Sequence, residues 1–340
     1  MHKDADNSFI FSEEEIEAKR KSHNITPIKP IKQIEPLTME MIQLENPPPK
    51  QYALYPILPV QGIALVFAAA GVGKTMFTLN LAYAIAGGGN FLGYTAPKPR
   101  KILYIDAEMA YVDIHSRLMQ ISVQQGKLDI PGNFFIYTPD RMMAKDETIP
   151  IRMPKICSPE GQAFYSDVIE RHNIDVIVFD NLSMLTTVNL DTGEDLHLFT
   201  DWQLHLRARG KTMINVHHAG KDKNGYRGSS KLIDHVDTAI SLQAIDDSLP
   251  ENADDSLMGK RFKVVYQKNR SFFGKESLPF EVTFHNEKWS CRTMEKSEME
   301  RVVEMVKLGM NQVSISKELG CGQSKIAKLI KKARGFKLID

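Results

Sequence analysis

The sequence predicts an α/β protein with a mostly parallel central sheet, followed by a small all-α module at the C-terminus. Three observations carry that prediction. Short apolar runs alternate with amphipathic segments from Tyr52 to about Phe284, the pattern of strand–helix units. Polar residues stand at the ends of four strand-like runs: a loop at 68–75, Glu108, Asp180 and His217-His218. From about Met294 the strand-like runs stop and the chain becomes helical and lysine-rich. The expected organisation is a partly disordered arm or linker over 1–50, a core over 51–290 and a helical module over 294–340.

The bulk numbers narrow the classes. A chain of 340 residues holds one large domain with an accessory, or two domains. Its 42% apolar content is ordinary for a globular protein. The formal net charge is +1, so any nucleic-acid surface must be a local patch. Cys157, Cys291 and Cys321 form no CxxC pair, which argues against a disulfide framework or zinc site. No run reaches the ~18–20 apolar residues of a membrane span, and the first residues lack a signal-peptide core. A cytoplasmic protein is the expectation.

In the arm, Ser12-Glu13-Glu14-Glu15 opens a charged segment ending near Lys21, read as a capped helix. Ile25–Leu37 contains Pro27, Pro30 and Pro36 and is expected to be extended. Its Ile25, Ile28, Ile31, Ile34 and Leu37 recur every third residue and would form one stripe of a polyproline-II helix. The segment reads as a tail or as an arm that docks on a neighbouring subunit.

The core opens with strand Ile63–Phe67, a loop of small residues, Gly73-Lys74-Thr75 and a helix over Thr75–Ala86 that Gly87-Gly88-Gly89 stops. This is the context of a phosphate-binding loop. Residues with little side chain let successive N–H groups converge on a phosphate, and the helix adds its positive end. Ala70, Gly71, Val72, Gly73, Lys74, Thr75 and Met76 would then hold the phosphates of ATP. Lys74 would reach the β- and γ-phosphates, and Thr75 would hold Mg²⁺. The pattern's first glycine is Ala68 here, and alanine takes a positive φ only at a cost.

Next come strand Lys101–Ile105, ending in Asp106-Ala107-Glu108, a helix over Asp113–Gln125 and a strand at Phe134–Tyr137. An irregular loop spans 140–157 and a helix spans Pro159–Arg171. Strand Val176–Phe179 ends in Asp180. Glu194–Arg209 is a helix, and Thr212–Val216 is a strand ending at His217-His218. A polar loop follows over 219–228. Strands recur near Val236–Leu242, Phe262–Tyr266 and Phe280–Phe284, with an acidic, polar connection over 244–260.

In doubly wound sheets ligands bind beyond the carboxyl ends of the strands. Asp180 would hold Mg²⁺ there, usually through water. The next residue is Asn181. In the AAA+ class a catalytic Glu occupies that place, so Asn181 argues against that class and moves the general base elsewhere. Glu108 is the choice, with Asp106 its rival; Glu108 lies further beyond the strand end and would orient the attacking water. His217 and His218 lack a third ligand at sensible spacing, which argues against a metal site.

The set resembles the RecA-like ATPases, and more narrowly the RepA-type and DnaB-type hexameric replicative helicases, over roughly Tyr55–Phe284. The matching pieces, in order, are AAAGVGKT, IDAEM, VIVFD, VHHAGK, YRGSSKLIDHVDTAISL and YQKNR. The resemblance implies a ring of six subunits, with ATP between subunits. It makes His218 the sensor of the γ-phosphate. It sends Lys268 and Arg270 into the neighbouring subunit's ATP. From spacing alone, Lys268 and Arg270 project the same way at a strand end, with no obvious acidic partner nearby in sequence. In a ring, Lys221, Lys223 and Arg227 would line a channel for single-stranded DNA, where Tyr226 could stack on a base. Loop 140–157, with Arg141, Lys145, Arg152 and Lys155, is a weaker DNA contact.

Gln312–Ile330 places Ile315, Leu319, Cys321, Ile326 and Ile330 at apolar positions and Gly320 at a turn. This resembles a helix-turn-helix completed by a helix over Glu298–Leu308, with Gln323–Ala333 as the recognition helix. Residues 317–337 carry seven cations against Glu318 alone. Gln323, Ser324 and Lys325 are the candidates for base contacts and Lys328 and Lys332 for phosphate contacts with duplex DNA.

The expected function is an ATP-driven replicative DNA helicase or translocase of plasmid, phage or mobile-element replication. The alternatives are a RecA/RadA-like recombination or regulatory ATPase, a ParA-type DNA-binding switch, and a DNA-binding repressor with an inert ATPase fold. Ala69, where ParA-type loops carry a signature lysine, counts against the ParA reading.

Overall fold

The computed structural model describes residues 36–126, 130, 132–140, 153–186, 194–219, 230–245 and 260–339. The chain divides into two compact units, Met1–Pro49 and Lys50–Asp340. In the first, helix α1 (Met39–Leu44) is capped by Thr38, whose hydroxyl accepts from the Met41 N–H at 3.3 Å. Its Met39, Met41, Ile42 and Leu44 are exposed. The expected helix over Ser12–Lys21 and nearly all of the apolar stripe lie outside the described residues.

The second unit is built on one nine-stranded sheet. Its first elements are β1 (Tyr52–Leu54), β2 (Leu58–Pro59), β3 (Ile63–Ala68), α2 (Lys74–Gly87), β4 (Asn90–Phe91), β5 (Tyr94–Thr95), β6 (Ile102–Asp106), α3 (Tyr111–Gln124) and β7 (Phe134–Tyr137). Then come α4 (Pro159–Arg171), β8 (Val176–Asp180), α5 (Leu182–Leu185), α6 (Glu194–Ala208), β9 (Thr212–His218), α7 (Ser230–His235) and β10 (Thr238–Ala244). The last are β11 (Lys260–Asn269), β12 (Phe280–His285), β13 (Lys288–Thr293), α8 (Met294–Lys307), α9 (Gln312–Glu318) and α10 (Gln323–Gly335).

The strand order is β13-β12-β11-β10-β3-β9-β8-β6-β7. From β10 to β7 all neighbours are parallel; β10, β11, β12 and β13 pair antiparallel. β3, β6 and β8 are buried along their whole length, which is why they read as unbroken apolar runs. Their side chains alternate between two apolar layers. Ala64, Val66, Tyr104 and Val178 join the layer containing Phe77 and Leu81 of α2. Leu65, Phe67, Ile105 and Phe179 join the layer containing Val168 of α4 and Phe199 of α6. The sheet is thus covered on both faces, and its strands end together beside the start of α2.

Several boundaries differ from expectation for local reasons. Helix α3 begins at Tyr111, whose N–H is taken by Asp140 at 2.8 Å. Helix α8 begins at Met294 because Thr293 caps it. Strand β11 runs further than Phe262–Tyr266 at both ends, since Arg261 is buried against Glu281 at 2.6 Å. Strand β13 was not anticipated; in KWSCRT only Trp289 and Arg292 are shielded.

Helices α8, α9 and α10 close over a small core of Val302, Met305, Ile315, Ile326 and Leu329. Gly320, at φ 60°, makes the turn between α9 and α10. Arg292 of β13 pairs with both Glu281 of β12 and Glu300 of α8, tying these helices to the antiparallel edge of the sheet.

Candidate active site

The loop after β3 needs left-handed backbone at only two places, Gly71 (φ 80°) and Gly73 (φ 117°). Ala68 is the last residue of β3, in register with His218 on one side and Leu242 on the other. Its departure from the glycine pattern therefore carries no conformational cost. Helix α2 starts at Lys74 with no side-chain cap, so its first N–H groups are left for a ligand. The Lys74 ammonium folds back on the carbonyls of Ala68 and Ala69, both at 3.1 Å. Burial lowers its pKa, against the pull of Asp180 and Glu108.

Asp180 ends β8 and is buried. It accepts from the Tyr104 hydroxyl at 2.6 Å and from the Thr75 hydroxyl. Burial raises its pKa, and those two hydrogen bonds oppose the rise. Tyr104 in turn lies 2.9 Å from the Thr78 hydroxyl, which donates to the Lys74 carbonyl. A side-chain bridge thus spans from α2 through β6 to β8. The Thr75 and Asp180 oxygens in contact are hard donors of the kind Mg²⁺ takes, so the residues present fit the ion.

The rival carboxylates at the end of β6 separate cleanly. Asp106 is buried and accepts the N–H groups of Glu108 and Met109 at 3.0 and 2.7 Å, closing the turn. Burial, and then the neighbouring Asp180, raise its pKa to about 7. The Glu108 side chain is 56% exposed. It accepts from the Asn181 amide at 2.6 Å and sits 3.8 Å from His218 Nε2. The same Asn181 nitrogen lies 3.2 Å from His218 Nε2. Asn181 thus joins Glu108 to His218, a role its sequence position did not suggest. Burial and Lys74 lower the His218 pKa, while Glu108 raises it. His217 meets a different partner, Ser183, at 3.3 Å. Residues 70–76, Glu108, Asp180, Asn181 and His218 line one cavity of 640 Å³.

Lys268 and Arg270 share a face, yet the expectation that they lack a partner is corrected. The Lys268 ammonium donates to the Ile233 and Asp234 carbonyls at the end of α7, at 2.6 and 2.8 Å. Arg270 reaches the Asp234 carbonyl at 3.4 Å and Asp237 at 3.8 Å. The partners are backbone carbonyls of α7 and a carboxylate just before β10, all distant from β11 in sequence. Neither cation lines the cavity that contains Lys74.

Of the expected DNA contacts, Lys221, Lys223, Tyr226, Arg227, Arg141, Lys145 and Arg152 lie outside the described residues. On α10, Gln323, Ser324 and Lys328 are exposed. Lys325 and Lys332 are also exposed but pair with Glu298 and Glu295 of α8, Lys325 at 2.7 Å. The seven-to-one charge asymmetry therefore does not survive folding, because α8 brings acids from outside the 317–337 window.

A mostly parallel sheet, a glycine-bearing loop at a helix start and an Asp at the end of β8, one strand removed from β3, define a P-loop nucleotide hydrolase with an α/β core. The chain matches the family model described as "AAA domain" over residues 30–224, more than half its length, and belongs to that family of ATP-hydrolysing domains. At the place where the AAA+ class carries a catalytic Glu this chain has Asn181, and no carboxylate stands there. No curated protein matches the chain. Among solved structures, a KaiC-like protein of the hyperthermophilic archaeon Pyrococcus horikoshii OT3 matches at 14% identity and a TM-score of 0.45, over 69% of this chain and 90% of that one.

Proposed function

We propose that the protein is a Mg²⁺–ATP hydrolase that works between subunits of a homo-oligomer and acts on DNA, as a RecA/RadA-like recombination or regulatory ATPase does. The observation that carries this reading is the division of the catalytic set. Lys74, Thr75, Glu108, Asp180, Asn181 and His218 share one cavity, whereas Lys268 and Arg270 stand outside it. The N–H groups of the loop and the Lys74 ammonium receive the phosphates. Thr75 and Asp180 hold Mg²⁺, which neutralises phosphate charge when bound. Glu108 accepts the proton of the attacking water, and Asn181 keeps its carboxylate beside His218. His218, on the same amide, reports the terminal phosphate. Lys268 and Arg270 serve the next subunit's site from the end of β11.

Subunit mixing tests this. Lys74→Ala and Arg270→Ala proteins should each turn over ATP slowly, Arg270→Ala by about 10³-fold or more. Mixed, they should regain activity, because some interfaces then hold both intact residues. No recovery on mixing would place Arg270 in its own subunit's site and sink the shared-site reading.

The narrower reading is a ring-forming, hexameric replicative helicase of the RepA or DnaB type. Two features support it: the YQKNR strand-end cations and the C-terminal helices. The latter have the spacing of a helix-turn-helix, with Gln323, Ser324 and Lys328 exposed on α10. ATP-dependent separation of a forked duplex is the decisive measurement. Intact DNA-stimulated hydrolysis without strand separation would leave the RecA/RadA-like reading standing alone.

A further inference from the structure

The cavity that holds the phosphate loop does not end with it. Away from Lys74 it continues along Phe262 of β11 and onto the hairpin of β12 and β13, where Phe284, Asn286 and Trp289 form its wall. A Cβ placed on Gly73 would lie 3.8 Å from Phe262 Cε1, so the aromatic compartment adjoins the phosphate loop directly. The Phe284 and Trp289 rings are 4.7 Å apart, and Phe262 meets Trp289 edge-on at 6.2 Å. The total of 640 Å³ suits a whole nucleotide.

Beside Arg117, Lys260 and His285, the polar lining of the cavity includes two amides. Asn286 and Gln120 of α3 both line it, and among the described residues neither side-chain amide has a hydrogen-bond partner. Each offers one donor and one acceptor side by side. The Trp289 indole N–H is buried and likewise without a partner. The hairpin presenting Asn286 is held in place. Asn286 (φ 46°) and Glu287 (φ 60°) form a two-residue turn between the paired His285 and Lys288. Gln124 of α3 bonds the Glu287 carbonyl, fixing the turn against that helix.

We infer that this compartment is the nucleobase subsite, that it takes a purine with adjacent donor and acceptor atoms on its edge, and that Asn286 and Gln120 read that edge while Phe284 and Trp289 pack on the ring. An amide matches the N6 and N7 of adenine, one donor to one acceptor in each direction. Guanine presents O6 and N7, two acceptors, to the same amide. The subsite therefore selects ATP over GTP. This inference rests on the phosphate loop being a nucleotide site, as proposed above.

The test uses the full chain with ATP, GTP and inorganic tripolyphosphate, each with Mg²⁺, in equilibrium binding. Wild type should prefer ATP over GTP. Asn286→Gly, which tolerates the positive φ, should weaken ATP by about 10-fold or more and leave tripolyphosphate unchanged. Gln120→Leu should act in the same direction without touching the hairpin. Equal weakening of ATP and tripolyphosphate, or unchanged ATP affinity in both variants, overturns the base assignment. A separate control isolates the underlying reading: Lys74→Ala should abolish tripolyphosphate binding, and its persistence overturns the phosphate site itself. In a Trp202→Phe background, ATP should alter Trp289 fluorescence and tripolyphosphate should not; identical responses would also count against the subsite.

Discussion

The strand-end site and the C-terminal helices both announce themselves as clusters of polar residues, but folding treats them in opposite ways. At the sheet, Asp106, Asp180 and Asn181 are buried. Each has a fixed set of hydrogen-bond partners, and the sheet register decides which side chains meet. On α10 the lysines are exposed, and two of them pair with acids of α8 in exposed ion pairs, which are individually weak. A polar residue at the end of a buried strand has little freedom to be anything but a site or a cap. A lysine on a helix surface is committed to no partner, so its sequence pattern says much less.

Among the buried polar residues, Asn181 should give the largest effect on substitution. Its side-chain oxygen Oδ1 caps α5 by accepting from the Met184 N–H at 3.1 Å, while its side-chain nitrogen Nδ2 holds Glu108 and His218. Asn181→Ser keeps a capping oxygen and removes the bridging amide. ATP turnover should fall about 10–100-fold, the usual effect of losing a residue that orients its neighbours, with ATP affinity nearly unchanged. If turnover and affinity fell together, Asn181 would be holding the loop and not positioning Glu108. Unchanged turnover would make the bridge incidental.

This residue also shows where sequence reading stops. The fold class and the strand-end positions were legible because β3, β6 and β8 are buried on both faces and carry unbroken apolar runs. Its place beyond the strand end favours Glu108 over Asp106 as the proposed base. Periodicity alone could not make that choice; the hydrogen bonds from the Glu108 and Met109 N–H groups mark Asp106 as the turn cap. Tyr104 sat unnoticed inside KILYI, because its hydroxyl matters only once β6 lies beside β8 in the register Asp106↔Asp180. Asn181 read as an absence of carboxylate for the same reason. The partners of Lys268 are backbone carbonyls, which no side-chain pattern encodes.

A smaller effect is expected on α10. Among the described residues Lys328 and Lys331 make no ion pair, unlike Lys325 and Lys332. If the helices bind duplex DNA, Lys328→Ala with Lys331→Ala should lower the salt dependence of binding by about two phosphate contacts. Lys325→Ala with Lys332→Ala should lower it less, because those lysines must first leave Glu298 and Glu295. Equal effects from the two pairs would mean that the ion pairs with Glu298 and Glu295 do not hold Lys325 and Lys332 back from DNA. No effect from either would make the helices a protein-docking element.

The smallest effect concerns Asp106, and it is one of stability. Its pKa is raised from 3.8 to about 7 by burial and by Asp180. Between those values the folded chain, without nucleotide or metal, holds a proton that the unfolded chain has released. Stability contributed by this group therefore falls as pH rises from about 4 to about 7 and is level above that. Asp106→Asn keeps an oxygen for the Glu108 and Met109 N–H groups but cannot ionise. The melting temperature of the variant minus that of wild type should grow across this window and then flatten. A difference that stays constant with pH would mean that Asp106 keeps its ordinary carboxylate titration despite burial. Asp180 and Asn181 alone would then show that burial constrains strand-end polar residues where surface lysines stay free.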